Sequence, residues 1–148
     1  MEPMEIALQE ARDAAARGEV PVGAVVLGPD GTVLARAGNR VEGTHDASAH
    51  AEMLALRAAA AARGSARLPD CDLVVTLEPC PMCAQALSVF RIRRLVFGAY
   101  DPKSGGVEHG ARVFDASSCH HRPEVIGGIR ETEAAALLKA FFADRRAS

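Results

Sequence analysis

Apolar residues recur at helical spacing near the start of the chain. Met4, Ala7, Leu8, Ala11, Ala14 and Ala15 share one face, Pro3 suits a first turn, and Gly18 reads as a stop. Residues 22–27 form a short apolar run of the buried-strand type. Gly28-Pro29-Asp30-Gly31 is a turn signal, and residues 32–37 return as the second arm of a hairpin. A polar loop covers 38–48. Helical patterning resumes near His50 and runs to Arg63, with Asp46 and Ser48 as candidate caps and Gly64 as the stop. Residues 72–76 read as a buried strand. Residues 80–90 read as a helix whose first turn tolerates Pro81, and 94–100 as a further strand. The segment 101–123 is mostly irregular, and a loop of that length is often functional. A short strand at 124–126 precedes a last helix over 131–146, with Ala134, Leu137, Leu138, Phe141 and Phe142 on one face.

An opening hairpin followed by alternating helices and strands predicts an α/β fold with three layers. A mixed sheet of about five strands should lie between helices on both faces, with right-handed crossovers. The 148 residues suit one domain, 1–148, and no repeat or linker divides them. Hydrophobic residues make up 49% and charged residues 24%, which excludes wholesale disorder. No apolar run approaches the roughly 18 residues of a membrane span. The first ten residues carry acids and no basic region, so no export signal and a cytoplasmic location are expected.

Charge complicates the picture. Lys+Arg number 17 and Asp+Glu 19, for a net charge of −2. That sum argues against a generally basic nucleic-acid binder. Arg91, Arg93 and Arg94 nevertheless cluster in sequence, as do Arg145 and Arg146, and a small RNA needs only a local basic groove. Few phosphates could be neutralised, so the salt dependence of RNA binding should be shallow. With five Phe, one Tyr and no Trp, a surface built mainly from aromatic stacking is hard to assemble.

Of the four cysteines, Cys80 and Cys83 form a C-x-x-C pair, while Cys71 and Cys119 stand apart as ordinary small thiols. Metal or redox use of the pair is a better reading than a disulfide framework. His50-Ala51-Glu52 and Pro79-Cys80-Pro81-Met82-Cys83 both fall at helix starts. Cys80 and Cys83 are one turn apart, so both sulfurs can face one way. His50, Cys80 and Cys83 make three ligands for zinc and leave one position open for water, as catalytic sites do. A water there is acidified to a pKa of roughly 7–9. Glu52 is not assigned to the metal. From the first turn it could take the water proton and pass it to a leaving amine. A structural zinc is the competing reading, with His45, His109, His120, His121, Cys71 or Cys119 as the fourth ligand; a redox pair is another. The order H-x-E then P-C-x-x-C matches the signature of zinc deaminases.

At these residues the chain resembles the bacterial tRNA-specific adenosine deaminases of the cytidine deaminase-like superfamily. The resemblance extends through Glu19-Val20-Pro21-Val22-Gly23-Ala24, Gly38-Asn39-Arg40, His45-Asp46, and Val75 to Ala84. It continues through Val96 to Gly105 and the terminal Phe141-Phe142 and Arg145-Arg146. The zinc motifs alone fit any superfamily member. The segment after the fourth strand and the F-F-x-x-R-R ending look like the tRNA enzymes. The resemblance implies a three-layer α/β/α cytidine deaminase-like fold and one Zn2+ per chain. It implies His50, Cys80 and Cys83 as ligands and Glu52 as proton shuttle. Asn39 should bond the flipped nucleotide, the Ala51 backbone should help read its edge, and Val22 should pack on the base. Asp101 should meet a 2′-OH, and Phe142 and Arg145 should line the groove for a tRNA anticodon stem-loop. The implied substrate is the wobble adenosine of an arginine tRNA, and the implied assembly is a homodimer. A free-base or nucleoside deaminase acting on guanine or cytosine is the alternative. A non-catalytic zinc-stabilised RNA-binding subunit is the third reading.

Overall fold

The computed structural model describes residues 1–147. Five strands form one sheet in the order β2-β1-β3-β4-β5: β1 Gly23–Leu27, β2 Val33–Gly38, β3 Asp72–Leu77, β4 Arg94–Ala99 and β5 Glu124–Ile126. The hairpin β1–β2 is antiparallel, β1 also pairs antiparallel with β3, and β3, β4 and β5 run parallel. The expected mixed sheet is therefore present, with one antiparallel arm and one parallel arm.

Side-chain alternation along the strands builds two cores. On one face Val25 and Val74 meet Met4, Ile6, Ala7 and Leu8 of α1 (Pro3–Ala16) and Ala134 of α5 (Glu131–Ala147). On the other, Ala24, Val26, Leu73, Val75, Leu95 and Phe97 meet Ala55, Leu56 and Ala59 of α3 (Ala51–Arg63). Ala84 and Leu87 of α4 (Pro81–Val89) join this second core. Phe97 is the largest fully buried side chain, and truncating it to Ala should cost about 3–5 kcal/mol. Gly23 explains how closely α1 lies on the sheet. A Cβ there would collide with the carbonyl of Ala7 and the backbone of Ala11.

Helix ends follow the sequence signals in part. Pro3 opens α1, and both Gly18 (φ 86°) and Gly64 (φ 63°) terminate helices in the left-handed region. Two local details depart from the expectation. The loop 38–48 contains a one-turn helix, α2 (Val41–Thr44). Four residues with a glycine among them carry no periodic signal; the turn forms because the buried Glu19 carboxylate accepts the N–H groups of Glu42 (3.1 Å) and Gly43 (2.8 Å). Asp46 and Ser48 do not cap α3. Asp46 Oδ1 accepts from the N–H and hydroxyl of Ser48 at 2.9 and 2.7 Å, and His50 holds the N-cap position. The irregular segment 101–123 includes a 3-10 turn, Val113–Asp115, whose Phe114 is buried in the second core.

No helix among the described residues is long and apolar enough to cross a membrane.

Candidate active site

Two helix starts and one strand end converge. His50 is the N-cap of α3 and Cys80 the N-cap of α4, and neither side chain caps its own helix. An N-cap side chain ordinarily turns back onto the first amides of its helix. Here both are left to face a common point, with positive helix ends behind them. Cys83 follows one turn later, fully buried. His50 Nδ1 lies 3.6 Å from Cys80 Sγ and 3.5 Å from Cys83 Sγ, and the three donors lie within 4.8 Å of one another. Zinc–sulfur and zinc–nitrogen bonds of about 2.3 and 2.0 Å at a tetrahedral angle require N···S edges of about 3.6 Å. The donors fit that ion. They are the one such group of three among the described residues.

Electrostatics matches the geometry. Cys80 is held down to about 4, first by the Cys83 thiol that donates to it and further by His50, against burial. Cys83 is pushed up because it donates to Cys80 and because it is buried. His50 is raised, mainly by its bond to Cys80. Glu52 is 4% exposed, and burial pushes its carboxyl up to about 7. The Glu52 backbone N–H and the His50 imidazole oppose that rise, and the Cys80 thiolate adds to it.

His50, Glu52 and Cys80 floor a cavity of about 700 Å³ beyond the carboxyl ends of β3 and β4. Val22, Asn39, His50, Glu52, Cys80, Asp101, Phe142 and Arg145 all line it. Cys83 lies behind the lining, and so does Ala51. The Ala51 N–H already donates to Asn39 Oδ1 at 2.7 Å. That bond turns the Asn39 amide: its oxygen is used, and its nitrogen has no partner among the described residues. Asp101 spends one carboxylate oxygen on the Ser104 N–H at 3.0 Å and keeps the other. Phe142 is 43% exposed, so it does not share the buried face of α5 with Ala134. Arg145 stacks 4.2 Å above the Phe141 ring and donates to the Gly18 carbonyl at 2.7 Å, tying α5 across the cavity mouth.

The other arginine cluster sits elsewhere. Arg93 and Arg94 lie at the amino end of β4, a strand length of roughly 17 Å from the cavity end. Arg93 pairs with Asp72 at 2.9 Å, Arg94 with Glu124 at 3.1 Å, and Arg91 donates to the Ser88 carbonyl at 2.7 Å. The expectation that this cluster contributes a basic groove is corrected. Acids distant in sequence pair with Arg93 and Arg94, and Arg91 is spent on a local carbonyl.

Glu78 and Glu19 carry no sequence signal of their buried roles: both are buried acids whose partners lie 23 or more residues away.

Comparison with known proteins gives the arrangement a family. The sequence model of the cytidine and deoxycytidylate deaminase zinc-binding region matches residues 1–99. A tRNA-specific adenosine deaminase from Agrobacterium fabrum is 54% identical over 143 residues, covering 97% of this chain and 93% of that protein. The chain belongs to the tRNA-specific adenosine deaminase family. Its members are deaminases, and the cytidine deaminase zinc-binding region gives this chain its zinc cofactor. A solved structure from work on A-to-I editing by tRNA:A34 deaminases superposes with a TM-score of 0.90 at 54% identity, covering 92% of this chain and 98% of that one. The three-layer cytidine deaminase-like fold is confirmed by that match. A guanine deaminase from Nitrosomonas europaea superposes with a TM-score of 0.82 at 27% identity, over 95% of this chain and 83% of that one. The fold is thus shared by enzymes of free bases and of tRNA.

Proposed function

We propose that this deaminase converts adenosine to inosine at the wobble position of a tRNA anticodon, with an arginine tRNA as substrate. Water attacks the purine carbon that bears the amine, ammonia leaves, and a carbonyl remains. The observation that carries the reading is the three-donor cluster with Glu52 beside it, at the floor of a cavity walled by Asn39, Asp101 and the end of α5. The 54% identity to a tRNA-specific enzyme over nearly the whole chain supports the RNA substrate.

His50, Cys80 and Cys83 hold the zinc ion, one per chain. Bound there, zinc supplies the Lewis acidity that makes water nucleophilic near neutral pH. Glu52 takes the water proton and returns it to the departing amine. Asn39, its oxygen fixed by Ala51, offers its amide N–H to the base, and the Ala51 backbone acts through it. Val22 packs on the ring. The free Asp101 oxygen accepts a ribose 2′-OH. Phe142 and Arg145 line the groove that takes the flanking nucleotides.

The cavity falls within the range that accepts drug-sized ligands, which is room for more than one free base. The domain 1–148 carries this activity, in the cytoplasm, as a homodimer. Met82 and Val89, 39% and 56% exposed on one side of α4, supply an uncovered apolar face for the second copy. Sedimentation would report the dimer.

The deciding experiment incubates the zinc-loaded protein with an anticodon stem-loop carrying a wobble adenosine, and separately with guanine and cytosine. Inosine should form in the RNA. Ammonia from a free base with no inosine in the RNA would replace this reading by the free-base one.

A further inference from the structure

Glu78 stands at the end of β3, two residues before Cys80, and its side chain is completely buried. Every hydrogen bond to its carboxylate comes from the loop 101–109. Oε1 accepts the Asp101 N–H (3.0 Å) and faces His109 Nδ1 (2.9 Å). Oε2 accepts the N–H groups of Val107 (3.2 Å), Glu108 (2.9 Å) and His109 (3.0 Å). Five donors saturate a carboxylate, which offers about four lone-pair sites. Such a cup of backbone N–H groups is an anion nest, and here the anion belongs to the protein itself.

The cup leaves no slack. A Cβ on Gly105 would collide with Glu78 Oε2, and one on Gly106 would run into the backbone of Cys80 and Pro81. The Gly106 N–H also donates to the Pro79 carbonyl at 2.8 Å. One end of this loop carries Asp101 and Ser104, which line the cavity. The far side of the cup is therefore part of the cavity wall.

We propose that Glu78 is a positioning residue for RNA binding. Its buried charge gathers the loop 101–109 into one conformation and so sets Asp101 and Ser104 at the cavity rim. It touches neither the donor cluster nor the reacting atoms; it acts through the loop. The inference rests on the RNA reading above, in which Asp101 meets the ribose.

Glu78→Gln tests it, because an amide nitrogen turned toward these N–H groups repels what the carboxylate gathered. The expected result is a rise in KM for the stem-loop of roughly 10- to 100-fold. Turnover at saturation should stay within about twofold, and zinc should remain at one ion per chain. Hydrogen exchange of the amides at 107–109 should accelerate while α3 and α4 stay protected. His109→Ala, which removes one donor, should shift KM the same way by less. Gly105→Ala, which crowds the cup from the loop side, should reproduce the KM effect. This pair keeps the test alive if Glu78→Gln fails to fold. A slower kcat or lost zinc at unchanged KM would overturn the proposal, because Glu78 would then be acting on Cys80. So would unchanged exchange at 107–109. The exchange arm needs no substrate. A wild-type protein that ignores the stem-loop therefore defeats the RNA reading, while the exchange result still decides whether Glu78 holds the loop.

Discussion

The two ends of the parallel strands β3 and β4 carry opposite chemistry. At the carboxyl ends, Glu52, Glu78 and Asp101 line the same cavity as His50 and Cys80, with Arg145 at its mouth. At the amino ends, Arg63, Arg93 and Arg94 meet Asp70, Asp72 and Glu124 in exposed pairs. The first end buries Glu52 and Glu78; the second leaves its pairs largely in water, where they contribute little. The donor cluster and the buried Glu52 lie at the first end, and the exposed ion pairs gather at the second. The contrast recurs within the site end. Glu52 is buried with little support and its carboxyl rises to about 7. Burial also works to raise Glu78, but the N–H groups of Asp101 and its neighbours and His109 hold it below the usual range. Burial without support leaves the first carboxyl near neutrality, and the ring of donors keeps the second as a fixed anion.

The comparison can be broken most sharply at Glu52. Glu52→Ala should lower turnover by about 10²- to 10⁴-fold and leave zinc bound. Near-normal turnover would put the proton shuttle elsewhere. Next comes Cys83→Ala, which removes one of three donors; zinc by atomic absorption should fall well below one ion per chain. Arg145→Ala should raise KM for the stem-loop several-fold, whereas alanine at both Arg93 and Arg94 should leave KM unchanged and lower the melting temperature only slightly. If the far-end pair moved KM as much as Arg145, RNA would extend over both ends. The slope of RNA affinity against salt should be shallow, since few phosphates can be neutralised; a steep slope would reveal an uncounted basic surface. The smallest effect concerns Asp70, whose pKa is lowered chiefly by its hydrogen bond with Arg63. A lowered folded value stabilises the protein above the ordinary carboxylate range, and the contribution is lost as pH falls through that lowered value. Wild type and Asp70→Asn should differ slightly in melting temperature near neutral pH and converge as the pH falls below that lowered value.

Much of this was legible from residue order. The patterning placed all five strands and four of the five helices to within a residue or two. The metal donors were legible for a local reason: a His and a C-x-x-C beside helix starts need only one turn of geometry to aim. Asn39, Val22, Asp101, Phe142 and Arg145 entered through resemblance, and all five line the cavity. Glu19, Glu78 and the helix α2 were not legible, because each exists through partners 23 to 31 residues away.

Local chemistry was enough to place most strands and helices and to set the His50 and Cys80-x-x-Cys83 motifs beside helix starts, because each depends on neighbours within a turn or a pleat. Tertiary structure alone decided which charges are free to act. It paired Arg93 and Arg94 with Asp72 of β3 and Glu124 of β5, and it buried Glu78 beneath a loop with no pattern of its own. It also left Asn39 with one amide nitrogen to spare. Those outcomes depend on desolvation and on contacts between segments far apart in the chain, and neither is written in the order of the residues around them.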